Sequence, residues 1–318
     1  MSVELNSRFR RWNAMLLLIA AFAGWIGVLT VLWTSYGVVL FIVLPTYFGI
    51  VCALVRGFWD PFSLKHAIRF TLVMSVLLLF ALLLVKLEGM LCVFMAAPLV
   101  VPLMLLGTCI GLYLLRTGIQ HWGVLLIVLT VPLLTGAAAV SQRTPSTFTV
   151  RSEVMIHSPE QYVWDQVIEF AELPPPKEFL FKTGIAYPIG ARIEGHGVGA
   201  MRYCEFTTGD FVEPIVRWDE PNLLQFSVAE TPPAMEEWGL FGPVDTAHLH
   251  GFFESKAGEF RIEALDDDTV VLRGTTHYQH GLWPESYWTL WSDSIIHRIH
   301  MRVLNQIKDR AEAAYGER

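Results

Sequence analysis

The chain has 318 residues, 53% of them hydrophobic, and a mean hydropathy of +0.44, which is too apolar for an ordinary water-soluble protein. Charge divides it: residues 1–146 hold nine Lys/Arg against three acids, and residues 147–318 hold 14 against 27. So acidic a carboxy-terminal half repels phosphate backbones and anionic headgroups, which excludes nucleic acid and leaves an uncharged or apolar molecule as its natural ligand.

A bilayer core of about 30 Å calls for about 20 apolar helical residues. Five segments come close, at 14–33, 37–55, 70–85, 90–115 and 122–140; four is the alternative count. Residues 1–141 therefore read as an all-α transmembrane region. Arg8, Arg10 and Arg11 precede a first segment too long for a cleavable signal, which makes it a retained signal anchor. Basic residues also cluster at Arg56, Lys65 and Arg69 and at Arg116. The positive-inside rule then puts the amino terminus in the cytoplasm and, with an odd number of spans, the carboxy-terminal domain on the outer face of a plasma or inner membrane. None of the spans carries an ionisable group at depth, which argues against ion-coupled transport and for an anchor or packing scaffold, with a lateral lipid pathway as the alternative. Pro45, Pro98, Pro102 and Pro132 are tolerated helix breakers that could mark kinks.

Residues 141–146 (SQRTPS) form a short linker, and the period then changes. A strand is predicted at 147–157. Ser158-Pro159 with Gln161 reads as a capping box opening a helix at 159–170, and Pro174 to Pro176 break the chain before a short helix or irregular stretch. Strands follow at 191–198, 201–207, 211–219, 223–230, 259–265 and 269–279, separated by turn residues such as Gly209-Asp210 and Asp266 to Asp268. A helix of about 30 residues closes the chain at 284–315. Alternation groups Val212, Val216 and Trp218 on one face, as it does Leu224, Phe226 and Val228, then Phe260 and Ile262, then Val270, Leu272, Thr276, Tyr278 and His280. At 100° per residue, Thr289, Asp293, Ile296, His300, Val303 and Ile307 share a stripe on the last helix. A one-sided sheet with one striped helix is an α+β grip.

The element order, with the stretches FVEPIVRWDEPNLLQFSV, GEFRIEAL and LRGTTHYQHGLWPESYWTLWSDSIIHRIHMRVLNQIKDRAE, resembles the START-like, birch-pollen-allergen-like superfamily, also labelled SRPBCC or polyketide cyclase/dehydrase. The resemblance covers about 147–312, within a domain taken as 147–318, and implies a curved antiparallel sheet wrapping a long carboxy-terminal helix around a hydrophobic cavity. It implies no fixed chemistry, since lipid carriers, hormone receptors and cyclases share that fold.

The expected cavity lining is Trp218, Phe226, Phe260, Thr276, Tyr278, His280, Trp288, Asp293, Ile296 and His300. Its polar members either satisfy one another as a buried network or orient the polar end of an apolar ligand. Trp283, Trp288 and Trp291 are read as core packing or as a lining for a planar ligand. Eight of the ten histidines lie in this half, but without HExxH or a third converging ligand no metal site is expected, and no cofactor. Cys52, Cys92 and Cys109 sit in apolar runs and Cys204 stands alone, so neither a disulfide framework nor a cysteine zinc site is available. The long loop at 231–253, with Met235, Trp238, Leu240 and Phe241, suits a lid, a tongue dipping into the bilayer interface, or an ordinary packed loop. Three functions follow in order: a membrane-tethered module for a lipid or isoprenoid-like molecule, an interaction domain with a filled core, and a cyclase- or hydrolase-type enzyme using Asp293 with His300 or His280. No nucleophile elbow, P-loop or dinucleotide fingerprint is present.

Overall fold

The computed structural model describes Gly37 and residues 39–59, 63–116, 146–170, 172–246 and 249–317. The segments expected at 14–33 and 122–140, Pro132 and His248 lie outside the described residues, as does most of the linker. The chain forms two compact units; the first is residues 1–144 with 237–247 and 282–284, and the second is the remainder.

In the first unit a π-helical turn, Val39–Val43, leads into α1 (Leu44–Trp59), followed by α2 (Leu64–Leu84) and α3 (Met90–Arg116), the last with Pro98 and Pro102 inside it. Of these, α2 and α3 are long and apolar enough to cross a membrane; α1 is shorter. Glycine sets how closely they approach. A Cβ at Gly49 on α1 would run into the Met104 carbonyl of α3, and one at Gly107 into the Thr46 carbonyl. Gly111, one turn on, meets Ile50 and Ala53, so Gly107 and Gly111 are a small-xxx-small contact face. Between α2 and α3 the buried hydroxyls of Thr71 and Thr108 share a 2.8 Å hydrogen bond, and Ser75 donates to the Thr71 carbonyl at 2.7 Å. Meanwhile Val73, Val76, Leu77, Phe80 and Phe94 face outward, more than half exposed. This packing buries small and hydroxyl side chains together with Ile50, Leu54, Met104 and Leu112, and leaves other large apolar ones exposed.

The second unit is a seven-stranded, wholly antiparallel sheet in the order β1-β9-β8-β5-β4-β3-β2. The strands are β1 (Thr147–Ile156), β2 (Pro188–Glu194), β3 (Met201–Phe206), β4 (Gly209–Asp219), β5 (Leu223–Ser227), β8 (Phe253–Asp266) and β9 (Thr269–His280); the short pair β6 (Glu237–Gly239) and β7 (Gly242–Val244) stands apart. Helix α4 (Glu160–Ile168) and a 3-10 turn, Phe179–Lys182, interrupt the strands, and α5 (Glu285–Gly316) ends the chain. The core between helices and sheet gathers Trp164, Phe170, Ile215, Leu224, Ile262, Leu272, Leu304 and Ile307. Sheet and long terminal helix make the expected helix-grip.

Several expectations are corrected. Ser158 does not cap α4, because its hydroxyl turns to the Ala311 carbonyl at 3.4 Å and Pro159 occupies the cap position. β2 ends at Glu194, since Gly195, Gly197 and Gly199 all take positive φ and turn the chain. β5 stops at Ser227, and β8 begins at Phe253, six residues ahead of its predicted start. The reversal between β3 and β4 falls on Thr207-Thr208, two residues before the predicted Gly209-Asp210. On β4 the inward face is Glu213 and Ile215, with Val216 54% exposed. A bulge between Ile215 and Arg217 inserts one residue and returns Trp218 to the core, so alternation counted back from Trp218 has the wrong phase.

Leu304 is fully buried on α5 against the core, its branch beside Gly274 of β9. Leu304→Ala should lower the stability of the second unit by about 2–5 kcal/mol. A thermal melt of the whole chain in detergent, followed by near-ultraviolet circular dichroism, checks this; an unshifted transition contradicts the packing.

Candidate functional site

Two polar arrangements lie inside the second unit. The first is a ladder between β9 and α5. Even-numbered residues of β9 face the helix, and three of them meet the helix stripe in turn. Thr276 Oγ1 is 2.8 Å from His300 Nε2, the Tyr278 hydroxyl donates to Asp293 Oδ1 at 2.7 Å, and His280 Nε2 is 3.0 Å from Thr289 Oγ1. Ser152 of β1 completes the end of the ladder, with its hydroxyl 3.1 Å from His300 Nδ1 and 2.7 Å from His297 Nδ1. Aromatic rings border it: Phe148 stacks on His280 with centroids 4.9 Å apart, and Phe253 lies over Tyr278 at 5.4 Å. Burial, and then the Asp293 hydrogen bond, push the Tyr278 phenol up, so it stays a donor. Burial, with the neighbouring His297 adding to it, lowers His300 to about 4. A neutral His300 with both ring nitrogens bonded is poorly placed to deliver a proton at neutral pH.

The second arrangement was not foreseen. Arg202 of β3 lies directly opposite Glu213 of β4 in the strand register; both are buried and the guanidinium Nη1 donates to the carboxylate. Three phenyl rings surround the guanidinium carbon: Phe226 at 5.3 Å, Phe260 at 5.5 Å and Phe170 at 5.8 Å, within cation–π range. Arg202 Nε is buried and has no hydrogen-bond partner. Arg202 remains charged: burial opposes its proton but the Glu213 carboxylate holds it, and the net direction is upward. Burial pushes the Glu213 carboxyl up against the pull of Arg202. Burial also raises the neighbouring Cys204 thiol to about 12, so no thiolate nucleophile is present there.

The ten residues expected to line one cavity are thus divided. Thr276, Tyr278, His280, Asp293 and His300 are in the ladder. Ile296 is buried beside it with Val150 and Tyr278. Phe226 and Phe260 belong to Arg202. Trp218 packs edge-on against Trp164, with His196 4.5 Å away, and Trp288 is buried against Tyr287. Arg202, Glu213, Ser152 and Thr289 join the polar sites without having been in the expected lining. A signal for the first two exists: a two-residue turn at Thr207-Thr208 puts 202 opposite 213, whereas one at Gly209-Asp210 would put Arg202 opposite Arg217.

No protein-family model and no curated protein matches the chain. Among solved structures, norcoclaurine synthase from Thalictrum flavum is similar at 11% identity and TM-score 0.34, over 54% of this chain and 99% of that one. A Streptomyces aromatase/cyclase is similar at 16% and 0.35, over 52% and 94%. A protein from Nitrosospira multiformis gives 15% and 0.34, over 54% and 100%.

His300 makes stability depend on pH. Between its ordinary value of 6.5 and about 4 the unfolded chain binds a proton that the folded chain refuses, so stability falls as pH falls through that window. The loss should reach roughly 3 kcal/mol. In His300→Gln, the decline in melting temperature from neutral pH to about pH 4.5 should be shallower than in the wild type. Parallel declines would show that His300 is not the group responsible.

Proposed function

We propose that the chain is a membrane-anchored binding protein whose helix-grip domain holds one hydrophobic molecule, of lipid or isoprenoid type, through a neutral acceptor oxygen. The observation that carries this reading is Arg202: a buried charged group with an unused Nε–H donor, facing three phenyl rings. An unsatisfied buried donor costs about 1–3 kcal/mol, and a ligand oxygen removes that cost. Because Glu213 already neutralises the guanidinium, a second anion would leave net charge in an apolar core, whereas a hydroxyl or carbonyl would not.

Anchoring is supported by the packing of the first unit. A core helix of a soluble protein is mostly buried, whereas only 17% of the most apolar window of α2 and 22% of that of α3 are. Their outward face is apolar and their contacts include glycine and hydroxyl groups, in which helix interfaces in lipid are enriched. In this reading the amino terminus is cytoplasmic and the binding domain faces outward.

An interaction domain with a self-filled core is the competing reading, and the ladder favours it, since those polar groups satisfy one another.

One experiment separates the two. The full chain is purified from membranes in mild detergent, and co-purifying molecules are identified by mass spectrometry, beside the double variant Arg202→Met with Glu213→Leu. Replacing both members avoids stranding a buried carboxylate and should leave folding intact. The wild type should retain one apolar class bearing an acceptor oxygen, and the double variant should retain it about tenfold less well. Equal retention would remove Arg202 as the anchor, and no retained molecule in the wild type would favour the interaction domain.

A further inference from the structure

Hairpin β6–β7 arises from the loop between β5 and β8, yet it belongs to the unit of apolar helices. Its inner side explains why. Glu237 is 1% exposed, and its carboxylate accepts the amides of Leu91 at 3.2 Å and Cys92 at 2.9 Å in the first turn of α3. Those amides have no partner within the helix, and a carboxylate there also complements the positive end of the helix dipole. Gly89 permits the approach, since a Cβ on it would run into the Glu237 side chain. Further along, a Cβ on Gly239 would come within 3.6 Å of the Leu83 carbonyl, so the strand passes the end of α2.

The outer side is apolar. Phe241 is 69% exposed, Trp238 and Leu240 are exposed as well, and Leu240-Phe241 forms the tip. The same end of the helix pair exposes Leu84, Val85, Leu87 and Met90. Hairpin tip and helix turn therefore each expose large apolar side chains, with the exposed Lys86 among those of the turn.

We infer that hairpin β6–β7 is a lipid-interface anchor, with Trp238, Leu240 and Phe241 at headgroup level beside the α2–α3 turn and Glu237 fixing it to the first turn of α3. The inference rests on the membrane reading. Its occupant is the bilayer because the apolar tip continues the outward apolar surface of two helices long enough to cross one, and aromatic rings suit that depth.

The test places a nitroxide at Phe241→Cys in the full chain with its four native cysteines replaced by alanine, reconstituted in phosphatidylcholine vesicles. Collisions with oxygen and with a water-soluble nickel chelate are compared for labels at Val76→Cys on α2 and Phe179→Cys in the second unit. The Phe241 label should lose most nickel collisions and keep oxygen collisions, as the Val76 label should, while the Phe179 label meets nickel freely. A Phe241 label as open to nickel as Phe179, with Val76 in lipid, overturns the anchor alone; a Val76 label open to nickel overturns the membrane reading. A Phe241 label shielded from both reagents means that protein, including a second copy of this chain, covers the tip, and overturns the lipid assignment. Should cysteine replacement disturb folding, brominated-lipid quenching of the unmodified chain is compared with that of Trp238→Phe. A smaller quenched fraction in the variant supports the inference, and an unchanged one overturns it.

Discussion

The helix-grip domain depends on the seam where α5 lies antiparallel to β9. Two residues along a strand advance about 6.6 Å and four along a helix about 6 Å, so polar residues two apart on one can meet residues four apart on the other. His280 and Tyr278 meet Thr289 and Asp293 in that relation, and Thr276 is met by the longer reach of His300. Each such bond adds only about 1 kcal/mol net, but leaving one group unpaired costs up to about 3. Sliding the helix by one turn would break all three rungs together. The ladder therefore specifies position more than it adds stability, while Val303, Leu304 and Ile307 farther along α5 supply the apolar burial.

Arg202 and Glu213 follow the opposite rule. A buried ion pair seldom stabilises a core better than apolar residues of the same volume would, because each charge must first leave water. Here the guanidinium recovers part of that loss from Glu213 and part from the faces of Phe170, Phe226 and Phe260. It still retains a donor that nothing accepts. The three rungs of the ladder are made, whereas Arg202 Nε has no acceptor, so the arginine is a place where a ligand would change the free energy of the domain.

The long helix, the order of strands and the inward face of β9 were legible because their periods run uninterrupted. The pairing of Thr276, Tyr278 and His280 with the polar stripe of α5 was visible for the same reason. The Arg202–Glu213 pair was not, for two local reasons: the β3–β4 turn uses Thr207-Thr208 rather than the stronger turn formers Gly209-Asp210, and the bulge after Ile215 reverses the alternation read back from Trp218. A turn misplaced by two residues and a phase displaced by one are enough to hide a cross-strand pair. Among the described residues of the apolar half, three helices fall near the segments hydropathy marked, but the contact face of Gly107 and Gly111 was not readable, since composition does not say which side of a helix meets its neighbour.

The two units place their apolar residues differently. In the second, Leu, Ile and Phe are inside and charges outside, with one buried ion pair as the exception; in the first, glycine and hydroxyl groups share the interior with Ile50, Leu54, Met104 and Leu112, while Val76, Leu77 and Phe80 are outside. Residues 237–244 lie in sequence between two strands of the second unit yet belong to the first. Their carboxylate is inside, on two helix amides, and their Trp, Leu and Phe are outside. The two helix amides offset the cost of burying the acid in either surrounding, whereas the exposed rings gain only where they can meet lipid, as at a bilayer surface.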